Sequence, residues 1–271
     1  MDTIQYIKSA QNKKIKFIRK LLLERKERDK NKLFVAEGFK VFNQLLLSQI
    51  PLELFCSEDF YRKLDTRSYF YKHLSQNNIP LNIVDNSLFY RLSSLAHAEG
   101  ILGIFKQIKF NIYDYLNTKP FVGVLCENLQ DPTNLGSIIR NCFCLGAHAL
   151  FLTDHSIDIY NPKVVRSSAG YLMQLPIFYV TFDDIKAWKA KNIYLLSTKF
   201  KNINKSKSLS DFDQLPSKVI IIFGNEGIGL SQRLIALSDD YFYIPMREGS
   251  ESLNISTAIA VTLFSMIPKV Q

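Results

Sequence analysis

Val219-Ile220-Ile221-Ile222-Phe223-Gly224-Asn225-Glu226-Gly227-Ile228-Gly229-Leu230-Ser231 runs from five apolar residues straight into a polar, glycine-rich loop. Five apolar residues without alternation describe a strand buried on both faces, the habit of a parallel sheet covered by helices. Working outward, apolar runs at 121–126, 149–152 and 177–180 precede a further one at 193–196, and Tyr243 with Ile244 closes the series. Helix-length segments separate them, so the second half reads as α/β with a mostly parallel sheet. Ligands bind such sheets at the loops leaving the strands' carboxyl ends. Function is to be sought there.

The first half has its own alternation. Strands are expected at 33–36, 52–56, 81–84 and 101–105, with helices at 39–47 and 58–76 and a short one from Asn86. That is a smaller α/β unit of ordinary domain size. A polar stretch, 106–120, follows, with Tyr113 and Tyr115 as anchors. The organisation expected is an N-terminal domain over 1–107, a linker over 108–119 and a C-terminal domain over 120–271.

The chain has 271 residues, 47% hydrophobic and 22% charged, which excludes a disordered chain. At that length a core forms without disulfide or metal staples. Cys56, Cys126, Cys142 and Cys144 form no CxxC pair and read as reduced core residues, so no metal site is expected. The longest apolar stretch, 255–267, is too short to span a bilayer, and no hydrophobic leader precedes Lys8, Lys13 and Lys14. A cytoplasmic protein without membrane contact is expected.

The net charge is +9, and residues 1–32 carry eleven basic side chains against four acidic ones, a local excess of +7. Ile15, Ile18 and Leu22 give this segment a helical apolar stripe, with Lys13, Lys16, Lys20 and Arg28 on or near the solvent side. A solvated helix face would account for most charge runs. Here the asymmetry between segments favours a phosphate backbone as partner.

Three strand-end loops carry the polar residues. Glu127 to Gly136 leads into a helix over 135–145, where Leu135, Ile138, Ile139, Cys142 and Phe143 share one side. Arg140 falls away from that cluster and can point into the cleft above the sheet. Taken alone, the loop is better described by Asn134 as a helix cap and Arg140 in a surface ion pair. The Gly224–Ser231 loop has the spacing GxxGxG, which is not the dinucleotide fingerprint, and it lacks the Gly-Lys-Ser/Thr of a P-loop. The third loop runs from Ile244 through Ser252 and Asn254, residues suited to a helix start, into 255–267. In that helix Ile255, Ile259, Leu263 and Met266 form one apolar face, and Val261 with Phe264 forms another. Two apolar faces need two covers, and a second copy of the chain suits the outer one.

Together these loops resemble a known family. Asn128…Asp131-Pro132-x-Asn134-x-Gly136-x-x-x-Arg140, Gly224-Asn225-Glu226-x-x-Gly229-Leu230 and Ile244-Pro245-Met246…Ser252-Leu253-Asn254-Ile255-Ser256 are similar to the three motifs of the SpoU/TrmH RNA 2′-O-ribose methyltransferases. The likeness extends through 161–170 and Leu175-Pro176. Asn12, Lys16, Phe34-x-x-Glu37-Gly38 and Gly100-Ile101 resemble the N-terminal RNA-binding domain of the ribosomal RNA members.

The resemblance implies the SPOUT α/β-knot, with a deep trefoil knot in the C-terminal domain, and a homodimer. It implies S-adenosylmethionine as methyl donor, held by Gly224, Asn225, Glu226, Gly229, Ile244, Met246 and Leu253. Arg140 would clamp the RNA phosphate and orient the 2′-hydroxyl, with Asn134, Glu226, Ser252 and Asn254 shaping the site. Lys13, Lys16, Arg19, Lys20 and Arg140 would contact RNA. Large-subunit ribosomal RNA is the favoured substrate, with transfer RNA, or a non-catalytic RNA-binding or assembly factor, as alternatives. Asn141-Cys142 after Arg140, the acidic Glu248 and Glu251, and Glu99 before Gly100 depart from the family's common pattern and bear on substrate choice.

Overall fold

The computed structural model describes residues 4–65, 67–93, 98–198, 206–225 and 227–270. It divides into two compact units: Met1–Ile108 with Asp158–Met173, and Lys109–Ile157 with Gln174–Gln271. The segment Asp158–Met173, expected inside the second domain, therefore packs with the first.

The first unit runs β1 (Ile4–Ile7), α1 (Lys13–Leu23), α2 (Arg25–Asn31), β2 (Leu33–Glu37), α3 (Phe39–Leu46), β3 (Glu53–Ser57), α4 (Glu58–Lys63), α5 (Tyr69–Gln76), β4 (Leu81–Val84), α6 (Asn86–Leu92) and β5 (Ile101–Lys106). Its sheet has the order β1-β4-β3-β5-β2, with β5 antiparallel to both neighbours. The single helix expected over 58–76 is two, because the Ser68 side chain caps a new start at 69.

Asn12 caps α1, accepting the Lys14 N–H at 2.9 Å, and the buried stripe is Ile15, Ile18 and Leu21, with Leu22 only half-buried. At Glu24 the backbone becomes extended, which ends α1 and re-aims the next turn. Arg28 is consequently 3% exposed, not solvent-facing as expected. Its guanidinium forks onto Asp158 (Nε 2.8 Å, Nη2 2.7 Å) and donates to the Leu21 carbonyl at 2.7 Å. A buried charge must be paired and hydrogen-bonded, and its partner lies 130 residues away in sequence.

The remaining elements are α7 (Ile112–Leu116), β6 (Phe121–Cys126), α8 (Pro132–Leu145), β7 (Ala149–Thr153), α9 (Pro162–Ser167, within the first unit), β8 (Ile177–Val180), α10 (Phe182–Ala190), β9 (Tyr194–Thr198), β10 (Ser206–Ser208), β11 (Lys218–Phe223), α11 (Gln232–Leu237), β12 (Asp240–Tyr243) and α12 (Ile255–Met266). The second unit's sheet has the order β10-β12-β9-β11-β6-β7-β8, and every pair in it is parallel. Phe121, Phe151 and Trp188 fill one side, the last two rings 4.7 Å apart. Tyr115 packs on Phe178, whereas Tyr113 is exposed and its ring meets the Lys191 ammonium 5.3 Å from its centroid.

Cys56, Cys126 and Cys142 are buried free thiols, but Cys144 is exposed. Burial pushes the Cys56 thiol up to about 12 and the Cys142 thiol well above its ordinary range, so both are inert core groups. Among the described residues no helix is long and apolar enough to cross a membrane.

Candidate functional site

Because β12, β9, β11 and β6 are parallel neighbours, their carboxyl ends share one edge of the sheet. The loops that leave them close around a cleft of about 1130 Å³ within the second unit. Hydrogen bonds between residues far apart in sequence set its shape.

The first loop is tied to the second. Asn225 donates from Nδ2 to the Asn128 carbonyl at 2.8 Å, and Glu127 accepts the Ser231 N–H at 2.7 Å, at the start of α11. Asn128 takes a left-handed φ of 49°, which asparagine tolerates better than most residues. The second loop also closes on itself: Asn225 and Gly229 exchange both backbone hydrogen bonds, at 3.0 and 2.9 Å. A Cβ on Gly224 would lie 2.4 Å from the carbonyl carbon of Gly229 and from the amide nitrogen of Leu230, so only glycine fits there.

The first loop is tied to the third through two helix starts. α8 begins three residues earlier than expected, with Asp131 as its cap accepting the Asn134 N–H at 2.7 Å and Pro132 in its first turn. Asn134 is thus not the cap. Asn254 caps α12, accepting from the Ser256 N–H at 2.9 Å, and its Nδ2 donates to Asn134 Oδ1 at 2.9 Å. Asn141 of α8 donates to the Ser256 carbonyl at 2.9 Å, a second tie between the same helices.

Asn134, Gly224, Asn225, Gly229, Ile244, Met246, Ser252, Leu253 and Asn254 all line the cleft, as the sequence reading groups them. Glu226, assigned to the same site, lies outside the described residues. Arg140 does not line the cleft. Only the first turn of α8 reaches it, and Arg140 is six residues beyond Asn134, about 9 Å along the axis. It is exposed and, among the described residues, unpaired. Lys13, Lys16, Arg19 and Lys20 are likewise exposed on α1 without ion pairs among the described residues, while Lys14 is engaged by Glu53 and Asn82.

Thr198, Phe242, Tyr243 and Arg247 also line the cleft and were not anticipated. The strand-end rule could have found Thr198, which closes β9, and Tyr243, which closes β12. The walls combine apolar side chains (Phe223, Ile244, Leu253) with main chain at Gly224 and a polar rim of Asn134, Ser252 and Asn254. Such a slot suits a flat heterocycle read by backbone groups, with a polar tail at the rim.

Residues 122–264 match the SpoU rRNA Methylase family, and residues 12–103 match the MRM3-like substrate binding domain. The chain is 36% identical over 154 residues to a 23S rRNA (uridine(2479)-2′-O)-methyltransferase of Streptomyces viridochromogenes; the match covers 54% of this chain and 52% of that protein. The chain thus spans about half the length of that relative. To the 23S rRNA (guanosine(2553)-2′-O)-methyltransferase RlmP of Bacillus subtilis it is 24% identical, with 97% of this chain and 99% of that one covered. The crystal structure of the SpoU methyltransferase AviRb from Streptomyces viridochromogenes, in complex with the cofactor AdoMet, superposes with a TM-score of 0.76 at 25% identity, covering 94% of this chain and 97% of that one.

Proposed function

Because this chain belongs to the SpoU rRNA methylase family, we propose that it transfers a methyl group from S-adenosylmethionine to a ribose 2′-hydroxyl of large-subunit ribosomal RNA. The observation that carries this reading is the cross-tied cleft, whose second loop folds back on its own backbone at Gly224, where any Cβ would collide with Gly229 and Leu230. The relatives named as 23S rRNA 2′-O-methyltransferases support the reaction and the substrate, and the AdoMet-bound neighbour supports the donor.

S-adenosylmethionine supplies an activated methyl on a sulfonium, and the chain supplies position. Main chain at Gly224, Ile244 and Leu253 holds the adenosine part, with Asn225, Gly229 and Met246 beside it. Asn134, Ser252 and Asn254 at the rim hold the ribose whose hydroxyl reacts. Fixing reactants in near-attack geometry is worth roughly 7–11 kcal/mol. Guanidinium groups keep their proton near neutral pH. Arg140 therefore clamps the RNA phosphate and orients the hydroxyl; it does not act as a base. The exposed Lys13, Lys16, Arg19 and Lys20 of α1 hold the RNA backbone at the first unit.

The test is transfer of labelled methyl from S-adenosylmethionine to 23S ribosomal RNA, with transfer RNA as a parallel arm. Label in ribosomal RNA as 2′-O-methyl ribose is the expected result. Label in transfer RNA alone overturns the substrate, and label in neither overturns the reaction.

Gly224→Ala should abolish S-adenosylhomocysteine binding by calorimetry while far-ultraviolet circular dichroism stays native. Unchanged affinity would remove Gly224 from the donor site. The second apolar face of α12 supports a homodimer: Phe264 is 77% and Val261 39% exposed, while Ile259 and Leu263 are fully buried. Light scattering should therefore give a dimer for the native chain and a monomer for Phe264→Glu. A native monomer would contradict this assembly.

A further inference from the structure

The first unit holds a pocket of about 450 Å³ that the reaction above does not use, within the size range of small-ligand sites. We propose that it binds one unpaired guanine base of the RNA substrate. The inference rests on the RNA reading and adds a base-reading site to it.

The pocket opens at one edge of the first sheet, where β2 and β3 end and β5 begins. Four aromatic side chains, Phe39, Phe60, Phe70 and Tyr90, line it together with the aliphatic Leu64 and Ala98. Phe39 and Phe70 meet edge to face at 5.2 Å, and Phe60 lies 6.4 Å from Phe39. Phe70 is buried, but Phe39 is 36% and Tyr90 47% exposed, so ring surface is open to a partner. Aromatic side chains are the usual stacking platform for a splayed-out RNA base.

Three carboxylates share the lining: Asp59, Asp65 and Glu99. Glu99 accepts the Phe39 N–H, and Asp65 accepts the Arg67 N–H at 2.8 Å. Asp59 has only the Arg62 guanidinium, at 3.8 Å, and its oxygens are otherwise open among the described residues. A carboxylate only accepts hydrogen bonds, so it selects a base edge that donates. Guanine offers two adjacent donors, N1–H and the N2 amino group, matched to the two oxygens of one carboxylate. Uracil offers one donor on that edge, and adenine one amino group beside an acceptor. Lys63 also lines the pocket, and the exposed Lys40, Arg62 and Arg91 are sequence neighbours of lining residues, so phosphates have cations outside the carboxylates.

An arginine side chain of a protein partner presents a similar pair of donors. The net charge of +9, with +7 in residues 1–32, draws a polyanion and repels a basic protein, which selects the base.

The test is fluorescence anisotropy of the full chain with labelled UUUGUUU, UUUAUUU and UUUUUUU. The native protein should bind the guanine heptamer about tenfold more tightly than the uridine one, the discrimination expected of one bidentate side-chain–base pair. Asp59→Asn should erase the preference for guanine over adenine, and Tyr90→Ala should weaken both purine heptamers relative to UUUUUUU. Circular dichroism checks that both variants fold. Equal affinity for the three heptamers, or a guanine preference that survives Asp59→Asn, overturns the proposal. So does displacement of UUUGUUU by the tripeptide Gly-Arg-Gly with the heptamers otherwise equal. Methyl transfer by the same preparation separates the two readings: transfer with equal heptamer affinities removes the pocket's role and leaves the reaction standing.

Discussion

Arg140→Ala should lower methyl transfer by about 10²–10³-fold, the scale on which single preorganised donors act, while S-adenosylhomocysteine affinity stays unchanged. The two effects separate because Arg140 is exposed on α8 and lies outside the cleft lining, where the donor would be held. It has no ion pair among the described residues, so a loss of turnover with unchanged S-adenosylhomocysteine affinity reports on RNA. Arg140→Lys keeps the charge but loses the planar fork that grips a phosphate. Partial activity between native and alanine levels is expected for it. Single-turnover rates with saturating RNA, set beside calorimetry, give both numbers. Normal turnover in Arg140→Ala would remove this residue from the reaction.

Asp158→Ala should cost the first unit about 3–5 kcal/mol, because it leaves a buried guanidinium without its counter-charge. Arg28 is 3% and Asp158 6% exposed, two bonds of 2.7–2.8 Å join them, and Asp158 also accepts the Tyr160 N–H at 2.9 Å. The double variant Arg28→Met, Asp158→Leu should recover much of that loss, since replacing a buried ion pair with apolar groups of similar volume is often nearly neutral. Urea unfolding followed by circular dichroism compares the three proteins. A cost below 1 kcal/mol for Asp158→Ala would mean that water reaches Arg28 in its place.

Strands written as apolar runs were legible. 81–84 and 121–126 coincide with the buried β4 and β6, and 177–180 with β8 at the edge of its sheet, because an apolar run bounded by polar or turn residues marks a strand wherever it sits. Two edge strands were not. β1 has three of its four residues exposed, and β10 reads Ser-Lys-Ser. Each pairs on one side only, so backbone pairing supplied by the neighbouring strand makes the strand, and the side chains carry no pattern. The cap of α8 is legible in Asp131-Pro132, a capping side chain followed by proline in the first turn, which is a stronger start signal than Asn134 alone.

Sequence by itself determined the α/β class, the concentration of positive charge in 1–32 and the grouping of three strand-end loops, because local periodicity and composition encode these. Only the tertiary structure decided that Asn134 meets Asn254, that Asn225 holds Asn128, that Arg28 turns inward to Asp158 and that Arg140 stands outside the cleft. Those pairs are 97 to 130 residues apart. Whether a polar side chain is spent on a partner or left for a ligand depends on that distant partner, which no local pattern contains.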